Sequence, residues 1–355
     1  MNTRRDFFRA SLFLVMGTQL GWGKFLGREE KAMNKPNKSN TPNKPRRLQP
    51  GQTIGLVNPA GAVFIEDEVC MVEELLANLG FRSVRGRHLL ARYGYLAGND
   101  AERAADVNAM FADSHINAIL AVRGGWGCNR ILPLLDYELI KRNPKIIAGY
   151  SDITALLLAI YAKTGLVTFH GPVGISTWND FSWNGFKSVL VDGEAPLLKN
   201  PQADPSKRVQ TENRIRTIHS GQAEGILSGG NLSILTAMVG SPYLPAWKGK
   251  LLFIEEIGEE IYRVDRMLTQ LSLAGILQQL NGVILGNFVD CKPEAGYGSL
   301  TLDEVFRDHL GNLGIPVFYG AMIGHIEDKF TIPIGIPAVM DAAKGTIELK
   351  EPAVI

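Results

Sequence analysis

Ser151 lies in the stretch Gly149-Tyr150-Ser151-Asp152-Ile153-Thr154, where an apolar strand-like run, Ile146 to Tyr150, meets a helical pattern that begins at Asp152 and ends at Gly165. A serine on a sharp strand-to-helix turn exposes its Oγ, and the free N–H groups of a helix start can receive a developing oxyanion. That is the chemistry of acyl transfer. The same pattern also describes a helix cap, a position that Ser and Asp favour. Taken alone, Ser151 fits a cap better, because Ile153 stands where Gly-x-Ser-x-Gly has its second glycine.

Two further sets of residues could complete such a site. Val122-Arg123-Gly124-Gly125-Trp126-Gly127 follows another apolar run. Its glycines would let backbone N–H groups approach a ligand closely, as oxyanion donors or as an anion cradle. The spacing is neither Gly-x-Gly-x-x-Gly nor a P-loop, so a nucleotide site is not indicated. Of six histidines, His170 and His325 each end an apolar run, where a catalytic imidazole would be held. His88, His115, His219 and His309 lie in polar or helical contexts and read as surface residues. For an orienting carboxylate, Glu255 directly follows Leu252-Phe253-Ile254, whereas Glu256, Glu259 and Glu260 read as a solvated acidic face.

The elements that would carry these residues alternate. Short apolar runs at 53–57, 81–85, 118–122 and 146–150 are separated by helical patterns near 67–79, 101–112 and 152–164, a βαβ rhythm that predicts a parallel sheet covered by helices. Ligands of such sheets gather at the carboxyl ends of the strands. Beyond a polar stretch near 200–215 the alternation continues more loosely. Strands are expected at 250–254, 283–287 and 317–319, helices near 261–278 and 301–313, and then short strands with a hairpin turn at Lys344-Gly345. The fold class is therefore α/β, with a smaller mixed α/β domain after the first.

The chain has 355 residues and a formal charge of +1, but the first fifty residues carry an excess of eight positive charges and the remainder an excess of seven negative ones. A mildly acidic body offers no electrostatic footprint for nucleic acid. Thr3-Arg4-Arg5-Asp6-Phe7-Phe8 and the apolar run Ser11 to Gly17 form a twin-arginine signal pattern, so residues 1–30 are expected to direct export to the periplasm. No clean Ala-x-Ala site follows, which leaves an uncleaved membrane anchor as the alternative. Residues 31–47 are polar and proline-rich and predict a disordered tether. Cys70, Cys128 and Cys291 match no zinc spacing and are expected to be free thiols.

Taken together, the runs around Arg123–Gly127, Gly149–Leu156, Thr168–Pro172, Phe253–Glu256, Tyr262–Arg266 and Gly324-His325 followed by Ile332–Gly335 resemble the LD-carboxypeptidases, the muramoyltetrapeptide carboxypeptidases of serine peptidase family S66, which also include microcin C self-immunity peptidases. The similarity spans roughly residues 48–352. It implies a flavodoxin-like N-terminal domain (48–205) carrying the nucleophile and a smaller, swivelling β/β/α C-terminal domain (206–355) carrying its partners. It implies Ser151 as nucleophile, Glu255 as the carboxylate orienting histidine and His325 as general base, and gives His170 a structural or pocket-lining role. Oxyanion donors would be the Asp152 N–H and one of Gly124 or Gly125, with Trp126 in the pocket wall where relatives often carry Tyr. The implied substrate is a peptidoglycan muropeptide ending in D-Ala, cleaved without metal or other cofactor by an enzyme that often dimerises. A detoxifying peptidase of the microcin type and a non-catalytic periplasmic muropeptide-binding protein are the alternatives. Arg123 and Arg130 are the candidates for holding the substrate's free carboxylate.

Overall fold

The computed structural model describes residues 42–355 apart from 202–205, 207 and 294–297. The twin-arginine segment and most of the tether lie outside the described residues. Residues 43–47 do not behave as a tether. Asn43 bridges to Leu166, Lys44 forms a 3.0 Å ion pair with Glu351, and Arg47 N–H donates to the carbonyl of Ile355 at 2.8 Å. Backbone pairing with two distant parts of the chain offsets the ordering entropy that their polar composition alone could not.

Five parallel strands, β1 (Thr53–Val57), β2 (Arg82–Arg85), β3 (Ala118–Ala121), β4 (Ile146–Gly149) and β5 (Thr168–His170), form a sheet in the order β2-β1-β3-β4-β5. This is the flavodoxin-like order expected of the first domain. Strands β3, β4 and β5 are buried along their whole length, as in a sheet covered on both faces. The covering helices include α1 (Glu66–Asn78), α2 (Asp100–Ala112), the short α3 (Cys128–Ile131) and α4 (Tyr137–Arg142), and α5 (Thr154–Thr164); α6 (Asp180–Lys187) follows β5 in the chain. Asn99 closes the start of α2 with a capping box through Glu102. No described helix is long and apolar enough to cross a membrane.

The second sheet has eight strands and belongs to the mixed α/β domain expected after the first. It is built on β8 (Gln222–Asn231), β9 (Lys250–Ile257), β10 (Gly282–Val289) and β11 (Val317–Tyr319), which are mutually parallel. Strand β7 (Arg216–His219) lies antiparallel on one edge. On the other side β13 (Pro337–Asp341), β14 (Thr346–Leu349) and β6 (Leu197–Leu198) follow in antiparallel pairs. The hairpin at Lys344-Gly345 joins β13 to β14 as expected, with Gly345 at φ 63°.

The sheets do not divide at residue 205. Strand β6 comes from the first half yet pairs with β14, and β12 (Ile332–Ile334), from the second half, adds antiparallel to β5 in the first sheet. Helix α5 explains why the halves interlock. It is apolar all round and buried from Thr154 to Ile160, so it needs cover on both sides. Strand β8 and the following helix α7 (Leu232–Ala237) supply the second side. Gly230 allows that approach, since a Cβ added there would collide with the Thr154 side chain, and the Thr154 hydroxyl accepts the Asn231 N–H at 3.0 Å.

Candidate active site

The turn after β4 holds Ser151 half-buried in an unusual conformation. Ser151 has a left-handed φ of 63°, one of three non-glycine residues with positive φ among those described, and such residues cluster at functional sites because the strain must be held by the surroundings. Ser151 opens a 3₁₀ turn (Ser151–Ile153) that runs into α5, and no side chain caps that turn. The cap reading of Ser151 is therefore not what the structure shows: a cap residue takes an extended conformation, and here Tyr150 does so instead, at φ −147° and ψ −173°.

The glycine loop after β3 lies directly against this turn. A Cβ added to Gly124 would come within 2.9 Å of Ser151 Cβ and 3.0 Å of its Oγ, and one added to Gly125, at φ 124°, within 2.9 Å of Gly61 Cα. Only glycine leaves room for backbone on both sides. Two buried charges fix the loop. Arg103, 1% exposed, donates to the carbonyls of Pro59 and Gly127. The Asp152 carboxylate accepts the Cys128 N–H at 2.8 Å, which ties the Ser151 turn to the start of α3, and burial raises its pKa. Cys128 and Cys291 are buried free thiols and Cys70 is a half-buried one.

The second sheet brings the partners. Glu255, on β9, is fully buried, and its Oε2 lies 2.8 Å from Nδ1 of His325, which follows the tight turn at Gly324. A Cβ on Gly324 would crowd Glu255 Oε2 at 3.0 Å. A carboxylate can only accept, so the imidazole proton sits on Nδ1 and Nε2 is left free to take one. The Tyr150 ring packs on the His325 imidazole with centroids 4.8 Å apart, which sets His325 beside the residue that precedes Ser151.

Ser151, Asp152, His325, Gly124, Gly125 and Trp126 all line one cavity of about 600 Å³, with Arg123. Trp126 is largely exposed and meets Tyr95 edge-on at 5.9 Å. Glu255 does not line the cavity; it acts on it through His325. Several lining residues were not expected, among them Tyr150, Asn231, Ser233 and Glu256. Glu256 corrects the reading of an acidic solvated face. It is 2% exposed, accepts from Asn231 Nδ2, from the Ser233 N–H and hydroxyl, and from its neighbour Ile257 N–H, and burial raises its pKa. The other sites read from sequence are placed elsewhere. Arg130 is bound to Asp100 at 2.9 Å and does not line the cavity. His309 is not a free surface residue, its Nε2 lying 2.6 Å from Asp265. Among the described residues no three His, Cys, Asp or Glu side chains converge as metal ligands would.

His170 is buried behind the site, against Phe253 and Tyr150, and its Nδ1 has no partner among the described residues. Burial holds its pKa at about 4, outweighing the opposing pull of Glu255. An unfolded histidine takes its proton near pH 6.5, so between about 6.5 and 4 the unfolded state binds more protons and stability falls as the pH drops. The full loss is about 3 kcal/mol, at about 1.4 kcal/mol per pH unit. His170→Phe is therefore expected to lose less stability than the parent in urea melts between pH 7 and 4. Parallel declines would remove His170 as the cause.

Comparison with known proteins gives one consistent result. Residues 54–171 match the family model of the LD-carboxypeptidase N-terminal domain and residues 224–340 that of the C-terminal domain. A probable murein peptide carboxypeptidase of Bacillus subtilis is 38% identical over 311 residues, 85% of this chain and 93% of that protein. The murein tetrapeptide carboxypeptidase of Pseudomonas aeruginosa is 31% identical over 299 residues, 81% and 92% of the two chains. The microcin C7 self-immunity protein MccF, solved in complex with aspartyl sulfamoyl adenosine, superposes with a TM-score of 0.80 at 30% identity, covering 88% of this chain and 100% of that one.

Proposed function

The chain belongs to the LD-carboxypeptidase family of serine-type peptidases, and from that footing we propose that it releases the terminal D-alanine of murein tetrapeptides through Ser151, His325 and Glu255. The observation that carries the reading is the half-buried, strained Ser151 in one cavity with an imidazole already oriented by a buried carboxylate. Ser151 Oγ attacks the carbonyl carbon of the scissile amide while His325 Nε2 takes its proton. The oxyanion is received by the Asp152 N–H and a glycine N–H of the Gly124-Gly125 loop. His325 returns the proton to the departing amine, and water then hydrolyses the acyl-enzyme by the same route in reverse. Export by the Arg4-Arg5 signal would bring the enzyme to its substrate in the periplasm.

Mass spectrometry after incubation with a disaccharide-free tetrapeptide ending in D-alanine tests this. Loss of one alanine is expected, and a tetrapeptide that stays intact would overturn the proposal. The MccF complex with aspartyl sulfamoyl adenosine supports a second reading, removal of an amino acid from an aminoacyl-nucleotide analogue by the same residues. Cleavage of that analogue and not of the tetrapeptide would favour it.

A further inference from the structure

Arg123 is the one lysine or arginine among the residues lining the cavity. Its Nη1 donates to the Ala62 carbonyl at 3.0 Å, but its Nε is buried without a partner and no carboxylate pairs with it among the described residues. The neighbouring arginines are spent. Arg103 is committed to Pro59, Gly127 and Asp100, and Arg130 to Asp100. The three acids of the same cavity are turned elsewhere, Asp152 to the Cys128 N–H, Glu256 to Asn231 and Ser233, and Glu259 to Arg263 at 3.7 Å. Arg123 Nη2 has no partner among the described residues either, and the planar fork of a guanidinium suits a carboxylate.

Its place in the chain puts it next to the residue that packs on Ser151, Gly124, and consecutive Cα atoms are about 3.8 Å apart. In a peptide cleaved at its last bond, the free carboxylate is separated from the attacked carbonyl carbon only by one nitrogen and one Cα. Resting on the function proposed above, we infer that Arg123 binds the carboxylate of the residue being released, and so makes the enzyme a carboxypeptidase, not an endopeptidase. A C-terminal amide or a longer peptide leaves the guanidinium without its anion and is rejected for that reason.

Calorimetry on the Ser151→Ala protein reads this binding without turnover, using the tetrapeptide with a free D-alanine carboxylate and the same peptide ending in D-alaninamide. The acid is expected to bind on the order of 100-fold more tightly than the amide. Adding Arg123→Met should abolish that preference by weakening the acid and leaving the amide unchanged, and Arg123→Lys should restore part of it. Inhibition of the unsubstituted enzyme by free D-alanine but not by D-alaninamide is the corresponding result where Arg123→Met does not fold. Equal binding of acid and amide, or a preference that survives Arg123→Met, overturns the inference. A tetrapeptide that the parent enzyme binds with this preference but never cleaves overturns the proposed reaction and leaves the Arg123 site standing; binding of neither peptide overturns both.

Discussion

Replacing Ser151 by glycine is expected to abolish alanine release from the tetrapeptide while leaving the folded chain more stable than its Ser151→Ala counterpart. Both substitutions remove the Oγ, and loss of a triad nucleophile costs on the order of 10⁴-fold or more in kcat. They differ in the backbone. Alanine must still hold the left-handed conformation that Ser151 holds at φ 63°, at a cost of about 1–2 kcal/mol, whereas glycine adopts it without strain. Against this stands the extra chain entropy of glycine, about 0.5–1 kcal/mol. The net difference should favour glycine by up to about 1 kcal/mol. No capping hydrogen bond is lost in either variant, because Ser151 makes none. Denaturant melts of the two variants beside a mass-spectrometric assay check both halves. Parent-like turnover in either variant would remove Ser151 from the reaction. A glycine variant less stable than the alanine variant would show that the turn stores no strain.

How much of this was legible in the sequence depended on whether a residue's role was local. Ser151 ends an apolar run that is strand β4, so its placement followed from hydrophobic pattern alone, whereas Glu255 lies inside β9 and His325 in a bend well past β11. The conformation of Ser151 did not follow, since capping statistics describe an extended residue and nothing local reveals a left-handed one. Strand β8 passed unread because Gly225, Gly229 and Gly230 lower strand propensity. Those glycines are dictated by packing: a Cβ on Gly229 would overlap the Phe253 carbonyl and one on Gly230 the Thr154 side chain. With β8 went Asn231, which it delivers to the cavity wall. Glu256 was misread for a related reason. Neighbours on a strand face opposite sides, so a buried Glu255 implied a solvated Glu256. Both faces of β9 are covered here, one by His325 and the other by the start of α7. The crossing of β12 into the first sheet was equally hidden, because a three-residue strand carries no record of which distant edge it joins.

Glu255→Gln is expected to lower kcat by roughly 10³–10⁴-fold with little change in KM and no loss of stability. The fall in kcat follows from the hydrogen bond at His325 Nδ1. An amide is neutral and cannot stabilise the imidazolium that forms as Ser151 gives up its proton. If it turns its NH₂ toward Nδ1, it also holds the wrong tautomer and blocks Nε2 as the base. KM should hold because Glu255 does not line the cavity and has no place against the substrate. Stability should hold because the parent already buries a carboxylate whose Oε1 has no partner among the described residues. Taking a charge out of water is expensive, and exchanging it for a neutral group of the same shape relieves that cost even as one charge-assisted bond weakens. Steady-state kinetics and a thermal melt on the same preparation decide the matter. A kcat within tenfold of the parent would mean that His325 does not depend on Glu255 for its orientation. A rise in KM with kcat intact would place Glu255 in substrate binding instead.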